Sequence, residues 1–96
     1  MPTDYIMRQI EEFFRGLYHI HHLKHINQYE NALDELNNLV LKMVGYDLNQ
    51  IKMLGIDGIK NFFDPNNYST VEKIFYSAKA LKEESSILLK IDRIDE

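Results

Sequence analysis

Residues 6–20 read IMRQIEEFFRGLYHI. Within them Ile6, Ile10, Phe13, Leu17 and Ile20 recur at spacings of four, three, four and three, which is one face of an α-helix. Tyr5, Phe14 and Tyr18 widen the stripe, so this helix is expected to touch more than one neighbour. Thr3 or Asp4 can cap its start, and Pro2 fits just before it or in its first turn. The pattern persists to about Lys24, a helix on the order of 30 Å long.

Outward from this stretch the chain stays helical in pattern. Asn27 followed by Glu30 reads as a capping box. It opens a second helix carrying Tyr29, Leu33, Leu36, Val40 and Met43, with Gly45 in the C-cap role. The junction at residues 25–28 is short, which predicts an antiparallel hairpin. From Tyr46 to Asp64 the pattern is choppier. Asp47 is placed to cap a short helix with Gln50 at its third position, Gly55 ends that helix, and Asp57 starts another turn or two. Asp64-Pro65 signals the start of a last helix, with Ser69 to Glu72 as a second capping box five residues on. That helix carries Val71, Ile74, Phe75, Ala78, Leu81 and Leu88, and Ser85-Ser86 is expected to break or bend it. No β-hairpin signal appears. The predicted architecture is all-α: one domain over residues 1–96, a hairpin plus short helices and a long C-terminal helix forming a small bundle.

Composition narrows the function. The 96 residues contain no cysteine, which removes disulfides, thiolate metal sites and thiol catalysis. Formal net charge is −4 and the basic residues are scattered among acids, so no nucleic-acid partner is expected. No apolar run approaches the roughly 20 residues that span a bilayer. The N-terminus lacks the basic flank and apolar core of a secretory signal, so a cytoplasmic location without membrane contact is expected.

The opening Asp4-Tyr5-Ile6-Met7-Arg8-Gln9-Ile10-Glu11 resembles that of a family of uncharacterised helical proteins of Gram-positive bacteria, which begin D-Y-I-M-R-x-I-E. The resemblance implies a helix pair and brings no assigned activity. Gln28-Tyr29-Glu30-Asn31-Ala32-Leu33 resembles the junction between the two helices of a tetratricopeptide repeat, with Leu36 and Leu39 following in register. The first half departs from that pattern. Aligned on Ala32, the small residue of the tight helix contact would be Ile20, and there is no second copy at a 34-residue period. The resemblance implies a degenerate tetratricopeptide-like hairpin.

Three groups of residues are candidates for function. His19, His21, His22 and His25 cluster near the end of the first helix. His21 and His25, four apart, can share one metal ion from a single face, with Glu30 or Asp34 as further ligands across the hairpin. Histidines there also suit the negative end of the helix dipole. The acidic pairs Glu11-Glu12, Asp34-Glu35 and Glu83-Glu84 diverge around a helix and form no acid–base couple. Gly55-Ile56-Asp57-Gly58 lacks the Lys and Ser/Thr of a phosphate loop, so no cofactor and no catalysis are expected. Phe13-Phe14 and Phe62-Phe63 cannot each hide both rings on one face, because neighbours on a helix point about 100° apart. The apolar stretches at residues 13–20 and 87–94 therefore read as contact surface. Phe13, Phe14, Leu17, Tyr18, Ile87, Leu88 and Ile91 are the expected interaction residues, toward a second copy or another protein.

Overall fold

The computed structural model describes residues 3–62 and 68–95. They form α1 (Thr3–His25), α2 (Tyr29–Val44), α3 (Leu48–Phe62) and α4 (Tyr68–Asp95), with no strand among the described residues. The all-α expectation holds, and the hairpin is antiparallel. Lys42 of α2 pairs with Glu12 of α1, and Leu39 meets α1 four residues later, at Gly16. A Cβ at Gly16 would lie 2.7–2.8 Å from the Leu39 methyl carbons, so the Leu39 side chain rests on the bare glycine and would have to shift to admit one. This contact lies one turn before Ile20, which is itself a buried core residue.

The helix ends follow local chemistry, with one reassignment. Asn27 does not cap α2. It sits at φ 65°, and its N–H bonds Lys24 O at 3.1 Å while Gln28 N–H bonds Leu23 O at 2.9 Å. That is a Schellman ending for α1, with Asn as the left-handed residue. Asn can both begin and end a helix, and here the short turn needs the left-handed step first. Gln28 is the residue before α2, and its side chain makes no cap bond. Gly45 ends α2 at φ 95°, as expected. Asp47 and Gln50 form a reciprocal capping box at 2.8 Å in both directions. Gly55 breaks α3 internally at φ 69°, ψ 173°, so α3 is two helical runs joined across a kink. The proposed start at Asp64-Pro65 lies outside the described residues. No break occurs at Ser85-Ser86, because α4 runs through both. Serines destabilise a helix only modestly, and Ser86 Oγ accepts a hydrogen bond from Lys24 Nζ at 3.0 Å.

α2 is the central helix and contacts α1, α3 and α4. Its Ala32, Leu36 and Val40 are fully buried, flanked by Phe13 and Ile20 of α1, Ile51 of α3, and Tyr76, Ala80 and Ile87 of α4. Asn37 Oδ1 of α2 accepts the Leu48 N–H at 2.9 Å and ties the start of α3 to the core. Buried Ser77 gives its hydroxyl proton to Lys73 O one turn back at 2.7 Å, so its own hydroxyl is not stranded. The molecule is a slab of 47 × 28 × 15 Å. Its radius of gyration, 14.1 Å, exceeds the ~13 Å of a rounder chain of this length. A slab covers less of its own apolar surface than a sphere.

Candidate functional site

α1 and α4 run parallel. Phe13 stacks on Tyr76 with ring centres 4.4 Å apart, Phe14 meets Phe75 edge-on at 6.1 Å, and Lys24 reaches Ser86. Few other residues bridge these helices, since each packs mainly on α2. Between the N-terminal halves of α1 and α4 a groove of about 330 Å³ stays open, lined by Ile6, Ile10, Val71, Glu72 and Phe75. The carboxylate of Glu72 accepts the Tyr76 hydroxyl proton at 3.1 Å. Burial, then the Glu72 charge and that hydrogen bond, push the Tyr76 phenol far above its ordinary range. The rest of the lining is hydrocarbon.

Exposed apolar side chains flank this groove. Phe14 is 45% exposed, Tyr18 79%, Val71 58% and Phe75 39%, and Met7 lies beside them on α1. Lys79 Nζ stands 5.7 Å from the Phe75 ring centre. The structure thus divides the residues expected to form contact surface. Phe13 and Ile87 are fully buried in this chain's own core, so they are not docking residues. Helix phase decides this: Phe13 faces α2 and α4, and Phe14, about 100° round, faces out. Leu17 and Ile91 are partly buried against the same core. Phe14, Tyr18 and Leu88 are exposed, but Leu88 lies far along α4 from the other two. Ile6, Ile10, Val71 and Phe75 read from sequence as core positions. Periodicity shows that a residue faces inward, and it cannot show that the neighbouring helix stands too far away to close over it.

The histidine corner lies at the other end of the α1–α4 seam. His21 and His25 share a pocket of about 310 Å³ with Lys24, Asn27, Tyr29 and Lys90. The carboxylate that approaches them comes from α4 and not from Glu30 or Asp34. Glu83 Oε1 lies 3.2 Å from Lys24 Nζ and 3.9 Å from His21 Nδ1, and it is buried without accepting a hydrogen bond. Among the described residues no group of three or more potential ligands is placed to hold a metal. Two lysines beside the pair put positive charge at a helix C-terminus, where it suits the dipole.

No protein-family model, curated protein or solved structure matches this chain. No described helix is long and apolar enough to cross a membrane.

Proposed function

We propose that the chain is a non-catalytic helical interaction domain that docks protein through the α1–α4 seam. The observation that carries this reading is the open apolar groove, with exposed Val71 and Phe75 in its lining, exposed Phe14 against Phe75, and exposed Tyr18 one turn further along α1. Single exposed hydrophobics are ordinary, but a contiguous set around a groove is the signature of a contact site. The groove offers hydrocarbon and one carboxylate already held by Tyr76, so it supplies no nucleophile or proton shuttle. The resemblance of residues 4–11 to uncharacterised Gram-positive helical proteins fits this reading and adds no chemistry. A cytoplasmic setting is consistent with the absence of cysteine.

The test is direct. At low micromolar concentration the chain should either bind a hydrophobic dye or associate. Phe14→Asp and Phe75→Asp should each abolish whichever occurs, with the helical circular dichroism intact. A wild-type monomer that binds no dye overturns the reading.

A further inference from the structure

Resting on that reading, we infer that the partner at the α1–α4 seam is a second copy of this chain, related by a two-fold axis running along the seam so that α1 of each copy lies on α4 of the other. The argument begins with register. α1 and α4 are parallel, and Lys24 contacts Ser86 across an offset of 62 residues. Phe14 and Phe75, and Phe13 and Tyr76, keep nearly the same offset at the other end. A two-fold axis along a parallel helix pair places each α1 level against the same level of the partner's α4. At that offset Phe14 falls between Phe75 and Ala78, Met7 falls near Val71, and Tyr18 falls beside Lys79. The exposed apolar residues of the two strips therefore interleave, which an isologous contact requires. An axis perpendicular to the helices would instead lay α1 on α1 and α4 on α4, with the strips meeting themselves in reverse.

Area points the same way. The exposed parts of Met7, Phe14, Tyr18, Val71 and Phe75 amount to on the order of 500 Å² per copy. That is about the apolar share of the ~800 Å² each partner contributes to a stable interface.

Sedimentation velocity over micromolar to millimolar concentration should show a monomer–dimer equilibrium. Tyr18→Asp, at a position too exposed to affect folding, and Phe14→Asp should each raise the dissociation constant at least tenfold. Because the chain has no cysteine, geometry can be read by cross-linking. Chains carrying Phe14→Cys mixed with chains carrying Phe75→Cys should form a mixed disulfide, and Met7→Cys with Lys82→Cys should not. A monomer at all concentrations overturns the second-copy inference. If that monomer binds a hydrophobic dye at the seam, the interaction reading stands with a different occupant; if it binds none, both fall. A dimer that survives Phe14→Asp and Tyr18→Asp, or that lacks the Phe14–Phe75 cross-link, also overturns it.

Discussion

Phe13→Ala and Phe14→Ala differ by one position and should differ several-fold in cost. The Phe13 ring is fully buried, 4.4 Å from Tyr76 and 5.9 Å from Phe14. Truncating a ring in such a site costs about 3–5 kcal/mol, because the lost transfer energy is joined by a cavity that the neighbours fill only partly. Phe14 is 45% exposed and leaves no enclosed cavity, so its loss costs about 1–1.5 kcal/mol. Both variants gain the same helix propensity from alanine, roughly half a kcal/mol, which cancels in the comparison. For a domain of this size about 1 kcal/mol moves the midpoint of thermal unfolding by ~5 °C. Phe13→Ala should therefore lower it by about 15–25 °C and Phe14→Ala by about 5–8 °C. The measurement is thermal and urea unfolding followed by circular dichroism, at a concentration where the wild type is monomeric. Equal losses, or a larger loss for Phe14→Ala, would refute the helix phase on which the core and the docking face both depend.

Asp47→Ala removes the side-chain half of the α3 capping box and should cost about 1 kcal/mol in urea unfolding, with Asp47→Ser recovering most of it. Lys24→Met leaves the buried Glu83 carboxylate facing His21 alone and should destabilise by about 2 kcal/mol, while adding Glu83→Leu should recover the loss. The folded chain holds the Tyr76 proton more tightly than the unfolded chain, whose value is near 10.0, so this contribution is intact below pH ~10 and is lost as pH rises beyond it. Unfolding across pH 8–12 should show the wild type losing stability more steeply at the alkaline end than Tyr76→Phe. Zinc added to protein without a histidine tag should move the thermal midpoint by less than about 1 °C, since no third ligand among the described residues is placed to complete a site with His21 and His25; a saturable rise would reverse that expectation.

Much of the fold was legible in the sequence because it is set locally. The stripe from Ile6 to Ile20 defines α1, Gly45 stops α2, and Asp47 with Gln50 starts α3, each through backbone groups a few residues apart. The errors arose where a residue type serves two local roles. Asn27 fits an N-cap and a left-handed C-terminal step equally well, and only the path of the turn decides between them. Ser85-Ser86 reads as a break until Lys24, 62 residues away, supplies the Ser86 partner.

The candidate site was less legible, since it depends on spacing between helices far apart in the chain. The sequence could say that Phe13 and Phe14 do not share a face, and not which one is inside. It could place four histidines together, and not that Glu83 and two lysines would join them. What the sequence determined alone is the helices, their ends and their apolar faces, because hydrogen bonding and side-chain periodicity act over a few residues. What the tertiary structure decided is that α2 takes the centre and that α1 and α4 leave a groove between their first turns, ahead of the Phe13–Tyr76 stack. Packing between helices far apart in the chain sets that groove, and no local pattern encodes it. The open seam along α1, whose stripe runs from Ile6 to Ile20, is the consequence.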